Sequence, residues 1–169
     1  MARKFKIIPN FSNYLIFGLS THEKDYKLCW RINKLLQMTL SRYLSLKIPG
    51  DPELSFSLFV QEEVHEHVDV FLISNFDKNI PWFAQAKHFH YFFIIRGNPL
   101  ESQIKQIIEA LENMPQMQLV TFLSIKEKKL VEPLLTDFEL HLTEIIRQEK
   151  DQIKQRTPQR VGIKKSKQN

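Results

Sequence analysis

The stretch HFHYFFIIRGNPL, residues 88–100, decides the fold. Aromatic and β-branched side chains alternate along it with a period of two, so that Phe92 and Ile94 point to the opposite side from Tyr91, which is typical of a strand. The Gly-Asn-Pro triplet near its end favours a turn that stops the strand and opens a helix. Because both sides of this strand are apolar, we expect both faces of its sheet to be covered.

Four other segments also predict strands. Each is a short run of apolar, aromatic or β-branched residues, and in most of them the apolar side chains alternate. The five predicted strands are Tyr14–Ser20, Leu54–Val60, Val68–Ile73, the segment 88–96 and Met117–Ser124.

Three helices are predicted between and after these strands. The first begins at Glu23, where acidic residues meet the positive end of the helix dipole, and runs to about Leu46. The second begins after the predicted strand 88–96 and ends at residues 113–115, Asn-Met-Pro. The third follows the last strand, accepts Pro133 in its first turn and ends near Gln155.

The predicted order is β-α-β-β-β-α-β-α, an α+β fold. Because two helices each connect strands through short right-handed crossovers, both are expected on one face of a mixed, mainly antiparallel sheet of about five strands. The C-terminal helix is then expected on the other face or beyond it. The predicted divisions are an irregular N-terminal lead (1–13), an α+β domain (14–125), a C-terminal helix (126–155) and a disordered basic tail (156–169).

The sheet face opposite the two helices carries bulky apolar side chains that should not face water. Burying each of them is worth about 1.5–3 kcal/mol. Three coverings are open: the C-terminal helix folded back, a second copy of the chain, or a partner protein. The residues predicted to form this protein interface are Phe59, Phe71, Ile73, Phe92 and Ile94.

Positive charge is concentrated at the C-terminus. The 23 residues from Arg147 to Asn169 hold eight basic and two acidic side chains, whereas the rest of the chain holds 16 basic and 17 acidic ones. A cationic segment with few apolar residues is expected to be disordered when free and to bind phosphate polymers by counterion release. A solubilising terminus without a specific partner is the alternative. The predicted nucleic-acid contacts are Lys154, Arg156, Arg160, Lys164, Lys165 and Lys167.

A second hypothesis, from another class, places a small enzyme site at the turn from Glu62 to Asp69 and at the strand start with His88 and His90. Carboxylates and imidazoles are the groups that acid–base catalysis and metal binding use. The same residues fit a solvated hairpin turn and surface histidines, and the sequence contains no complete catalytic motif. We therefore expect no catalytic residue, metal or cofactor, and an enzyme is the less favoured class.

The sequence also suggests roles for one cysteine and two aromatic residues. Cys29 is the one cysteine, so an internal disulfide is excluded and the thiol is expected to be buried as a small hydrophobe. Trp82 and Phe83 lie in the longest internal loop, among basic residues. They are interpreted as an aromatic lid on the sheet, with stacking on single-stranded nucleic acid as the alternative.

The sequence also bears on the compartment. No apolar run is long enough to cross a bilayer, and the N-terminus lacks the apolar core of a signal peptide. The tail has no lipidation signal or hydrophobic anchor. A cytoplasmic location without membrane attachment is therefore expected.

Several stretches resemble the small proteins of the IPExxVDY family, over about Tyr14 to Leu130. They are DYKL (25–28), FSLF (56–59), LISN (72–75), YFFIIRG (91–97) and MPQ (114–116). At the signature itself, Phe-His-Tyr (89–91) stands where the family has Val-Asp-Tyr, and Ala-Gln-Ala (84–86) where it has Ile-Pro-Glu. The resemblance implies a small α+β cytoplasmic protein of undefined activity and supplies no catalytic residues.

Together these observations favour a non-enzymatic cytoplasmic binding protein. It is expected to dock a protein partner, or a second copy of itself, through the apolar sheet face or the C-terminal helix. The basic tail is expected to hold RNA or DNA without sequence preference.

Overall fold

The computed structural model describes residues 11–48, 51–65, 67–123 and 128–156. Within these residues the chain forms three helices, a six-stranded sheet and two small hairpins, so the predicted α+β class is confirmed. The helices are α1 (Asp25–Leu36), α2 (Glu101–Glu112) and α3 (Lys128–Arg156). The strands are β1 (Tyr14–Ser20), β2 (Ser41–Arg42), β3 (Leu46–Ile48), β4 (Asp51–Phe56), β5 (Leu58–His65), β6 (Val68–Ser74), β7 (Phe76–Asp77), β8 (Ile80–Pro81), β9 (Tyr91–Arg96) and β10 (Leu119–Leu123).

The main sheet has the strand order β10-β1-β9-β6-β5-β2, and all its neighbouring strands within the described ranges pair antiparallel. The prediction of a mixed sheet is corrected in this respect. Helix α2 does connect two parallel strands, β9 and β10, but β1 lies between them. Helix α1 likewise leads from β1 to the parallel strand β2, with three strands in between. The crossovers therefore produce no parallel neighbours.

The first helix is shorter than predicted. It ends at Leu36 instead of about Leu46, because Gln37 adopts a left-handed conformation (φ 53°) and its N–H bonds to the carbonyl of Asn33. The Asn33 side chain then donates to the carbonyl of Leu40 and accepts from its N–H, both at 2.9 Å. This clamp turns the chain toward β2 and β3, which occupy part of the segment predicted as helix.

Three predicted strands also begin or divide at other residues, and the last of them begins at Leu119 instead of Met117. The strand 54–60 is interrupted at Ser57, so that β4 forms a hairpin with β3 while β5 joins the main sheet. The central strand begins at Tyr91 and not at His88. Just before it, the ring of Phe89 packs on Gly18, where an added Cβ would lie 2.6 Å from the ring. A glycine in β1 therefore makes room for an aromatic side chain from the loop.

Helices α1 and α2 pack on one face of the sheet, as predicted. Leu28 and Ile32 from α1 and Leu111 from α2 are fully buried there. They share one apolar cluster with side chains of the central strands, Phe17 and Phe93 among them. This face is closed by the chain's own helices.

Helix α3 covers the other face. Leu134, Leu135 and Phe138 are fully buried in an apolar cluster with sheet side chains. The Phe138 ring stands edge-on to that of Phe71, with 5.1 Å between the ring centroids. Of the three coverings that the sequence left open, the folded-back C-terminal helix is the one that the structure has.

The residues predicted as a protein interface are therefore in the core. Phe71, Ile73, Phe92 and Ile94 are at most 2% exposed and belong to the cluster beneath α3. Phe59 lies on the opposite face, because its partner in the sheet is Leu72, so the assignment of Phe59 to the α3 face is corrected. A partner could reach the other four side chains only after α3 had moved away.

Candidate nucleic-acid interface

The basic C-terminal segment begins on an exposed part of α3. From Ile146 onward, the side chains described in this helix are exposed, except that of Glu149, which is half-buried. Arg147, Lys150 and Lys154 are among them, and none of the ion pairs formed within the described residues involves these three. Their positive charges are thus directed to solvent.

The predicted contacts divide between the described and the remaining residues. Lys154 is exposed on the last described turns of α3, and Arg156 is the last residue of that helix. The other four contacts lie outside the described residues, and so does the predicted disordered tail (156–169) apart from Arg156, which is still helical, so the prediction is corrected there. These four contacts are Arg160, Lys164, Lys165 and Lys167.

One contact fixes where this end of α3 lies. The hydroxyl of Tyr43, directly after β2, donates a hydrogen bond to the Glu149 carboxylate. Burial, followed by this bond and by the negative charge of Glu149, raises the pKa of Tyr43 to about 12. The basic segment therefore leaves the body of the protein beside the β2 edge of the sheet.

An exposed face of α1, which the sequence interpretation did not single out, borders the same edge. Arg42 of β2 forms an ion pair with Asp25 at the start of α1, at 3.0 Å. Beyond Asp25, the ring of Tyr26 is 55% exposed and that of Trp30 is 60% exposed. The ammonium of Lys34 lies 5.1 Å from the centre of the Trp30 ring. The signal was present in the sequence, since residues 26, 30 and 34 follow a four-residue step on the side away from the apolar stripe.

No protein-family model matches the chain, and no curated protein or solved structure is significantly similar to it. The resemblance to the IPExxVDY family therefore stays a prediction. The case for a function rests on the geometry of the chain itself.

The two aromatic residues of the long loop are buried. Trp82 and Phe83 are each 7% exposed and belong to the cluster beneath α3. The indole N–H of Trp82 donates to the Asp137 carboxylate at 2.7 Å, which ties the loop to α3. This is the arrangement of a lid, and neither ring offers a surface on which a base could stack.

The residues of the alternative enzyme site lie at opposite ends of the sheet. Asp69 pairs with Arg96 at one end of β6 and β9, whereas His90 precedes the pair of Ser74 and Tyr91 at the other end. Five residues of strand separate the two ends, which is about 17 Å. Within the described ranges, no group of three or more His, Cys, Asp or Glu side chains is placed to hold a metal ion.

One carboxylate of the predicted enzyme turn, that of Asp69, is already paired. The Arg96 guanidinium donates to Asp69 through Nε at 3.1 Å and Nη2 at 2.8 Å. Arg96 also approaches Glu139 of α3 at 3.4 Å, and burial raises the pKa of Glu139. These contacts attach the β6–β9 pair to α3, which is a structural role.

Two possible nucleophiles are in unsuitable surroundings. The Ser20 hydroxyl donates to the carbonyl of His88 at 3.2 Å and also lies 3.3 Å from Nδ1 of His90. A hydroxyl that bonds to a backbone carbonyl is not held for proton transfer to the imidazole alone. Burial, followed by the charge of Asp25, raises the pKa of Cys29 to about 11, so its thiol is neutral at pH 7.

In the described parts of the chain, no helix is both long enough and apolar enough to cross a membrane.

Proposed function

We propose that this chain is a non-enzymatic cytoplasmic binding protein that holds RNA or DNA without sequence preference through its basic C-terminal segment. The observation that carries the proposal is the separation of charge. The body has a net charge of −1 and the last 23 residues one of +6, from the residue counts. Arg147, Lys150 and Lys154 of this segment are exposed, and none of them forms an ion pair with another described residue.

Counterion release supplies the binding energy in this proposal. Each Lys or Arg that contacts a phosphate frees a condensed cation, so affinity falls as salt concentration rises. A nearly neutral body neither adds to nor opposes this attraction at long range. The expected behaviour is strong retention at low salt and little discrimination between sequences.

A protein partner is a separate part of the proposal, and the buried face of the sheet does not support it. Because α3 fills that face, a partner or second copy is expected to use the exposed side of α3 or another outer surface. Leu140 and Ile146 of α3 are 50% and 45% exposed. Their exposure is compatible with such a contact but does not favour it over isolated apolar surface residues.

The test of nucleic-acid binding uses two variants of the full chain with the same net charge. One replaces Arg160, Lys164, Lys165 and Lys167 by Gln, and the control replaces the body residues Lys47, Lys78, Lys87 and Lys105 by Gln. Binding to a labelled single-stranded oligonucleotide is measured over a salt series. The slope of log K against log[salt] is expected to become shallower by about 3 in the tail variant, at 0.7 per lost contact. Equal slopes in the two variants would refute the proposal.

A further inference from the structure

Helix α1 presents a strip of aromatic and basic side chains to solvent, formed by Tyr26, Lys27, Trp30 and Lys34, which we call the aromatic strip. The two rings are 55% and 60% exposed. They lie four residues apart, which is about 6 Å along the helix axis and on the same side. Leu28 and Ile32 occupy the opposite, buried side of α1. The rings of the strip therefore contribute little to the core of the protein.

The charges around the strip favour an anionic ligand. The two nearest carboxylates are already neutralised, since Glu23 pairs with Arg31 at 2.6 Å and Asp25 pairs with Arg42 at 3.0 Å. The ammonium groups of Lys27 and Lys34, by contrast, take part in no ion pair within the part of the chain that the structure describes. Two exposed rings beside two lysines without a carboxylate partner fit a base with its phosphates, and the ammonium of Lys34 already lies over the Trp30 ring.

The strip and the basic segment also border the same edge of the sheet. Arg42 of β2 contacts the start of α1, and the next residue, Tyr43, contacts Glu149 near the end of α3. The strip and the exposed end of α3 lie on opposite faces of the sheet, so one nucleic-acid strand that contacts both passes around the β2 edge.

We propose that the aromatic strip is a stacking site for single-stranded nucleic acid, and that it holds the same strand as the basic segment. The inference rests on the proposed function and deepens it, because it selects single strands over duplexes. Bases that are paired within a duplex are stacked on each other and do not expose their faces to Tyr26 and Trp30. The basic segment attracts single strands and duplexes alike, whereas the aromatic strip adds affinity for single strands.

Intrinsic fluorescence tests the contact directly. The chain has two tryptophans, and Trp82 is 7% exposed and bonded to Asp137, so its emission is shielded from solvent and serves as a constant background. Titration of the full chain with unlabelled oligouridine is expected to quench the emission of Trp30. A Trp30→Phe variant is expected to lose the quenching but keep most of the affinity, because phenylalanine still offers a ring. Quenching of equal size by a duplex of the same length would overturn the proposal.

Affinity provides the second measurement. Trp30→Ala and Tyr26→Ala are each expected to weaken binding of the single strand by about 5- to 150-fold, the range found for loss of one stacked base. Neither change should alter binding of the duplex. Leu100→Ala is the matched control, since Leu100 is 66% exposed but lies directly before α2. It should leave both affinities unchanged.

The outcomes separate the two proposals. If Trp30→Ala binds as tightly as the unaltered chain while the four Gln substitutions in the tail still reduce the salt dependence, the strip proposal is refuted and the basic segment stands. If neither set of changes affects binding, both proposals fail.

Discussion

Two tyrosine hydroxyls donate hydrogen bonds inside the fold, and both bonds are lost when the hydroxyls ionise at high pH. Tyr91 donates to the backbone carbonyl of Glu23 at 2.6 Å, and Tyr43 donates to the Glu149 carboxylate. Burial is the main cause that raises the pKa of each hydroxyl to about 12. The folded chain therefore holds these protons more tightly than the unfolded chain, in which the pKa is about 10.

The sign of the pH dependence follows from this difference. A pKa that is raised on folding contributes stability that is complete below about pH 10 and disappears as the pH rises through about 12. We expect the free energy of unfolding, from urea melts, to fall between pH 10 and 12. Tyr91→Phe should make this fall smaller, at the cost of about 1 kcal/mol near pH 8 for the lost hydrogen bond. Tyr26→Phe changes an exposed ring and should leave the fall as it is. An unchanged fall in Tyr91→Phe would contradict the assignment.

Single residues also show what the sequence could and could not predict about the site. The charge segregation that places Lys154 and its neighbours in one segment is a property of composition, so it was available from the sequence. The side of the sheet on which Phe59 lies depends on its pairing with Leu72, and a shift of one residue reverses it. The exposure of Trp30 follows from its place opposite the apolar stripe of α1, but tryptophan is buried too often for its type alone to indicate a surface position.

At the scale of elements, α3 contains a proline where a helix ordinarily excludes one. The sequence placed Pro133 in the first turn, but the helix begins at Lys128, which makes Pro133 its sixth residue. A proline at this position destabilises the helix. Proline has no N–H to give to the carbonyl four residues earlier, and its ring crowds that carbonyl.

Pro133→Ala is accordingly expected to stabilise the protein. A proline in a helix interior is about 3 kcal/mol less favourable than alanine, and a position near the helix start recovers part of that, so we expect a gain of about 1–3 kcal/mol in the free energy of unfolding. Urea denaturation followed by circular dichroism measures it. Pro99→Ala, in the turn before α2, is the control and should give no gain. A less stable Pro133→Ala protein would show that the ring makes contacts worth more than the missing hydrogen bond.

Element bounds were predicted well where strong turn residues mark them and poorly elsewhere. The strand β1 and the start of α2 after the Gly-Asn-Pro triplet agree with the structure. The end of α1 is set by a left-handed Gln37 and by the side chain of Asn33, neither of which is a strong stop signal. The small hairpins form because of contacts with residues that are distant in sequence, so a local sequence pattern could not predict them.

For the molecule as a whole, the layered arrangement follows from one feature of the sequence. The central strands are apolar on both sides, so both faces of the sheet had to be covered, and the sequence supplied enough helices to do so. It left open whether α3 or another chain covers the second face. The burial of Leu134, Leu135 and Phe138 answers that question within the chain.

Removing α3 is therefore expected to abolish the folded monomer. A chain that ends at Leu123 leaves Phe71, Ile73, Phe92 and Ile94 uncovered, and each costs about 1.5–3 kcal/mol when exposed, which approaches the whole stability of a small domain. We expect loss of cooperative unfolding and strong binding of a hydrophobic dye. A chain that ends at Gln155 keeps the cover and should unfold cooperatively. A cooperative, monomeric product from the shorter chain would contradict this account.

The pairing of β1 has a consequence for how the protein is made on the ribosome. Its partners are β9 and β10, and Tyr14 lies opposite Arg96. At about 5–20 residues per second, Arg96 is synthesised on the order of 4–16 s after Tyr14. During that time the nascent chain carries an apolar strand without its neighbours, and the second face stays open until α3 emerges. The chain is therefore most exposed to wrong associations while it is still being translated.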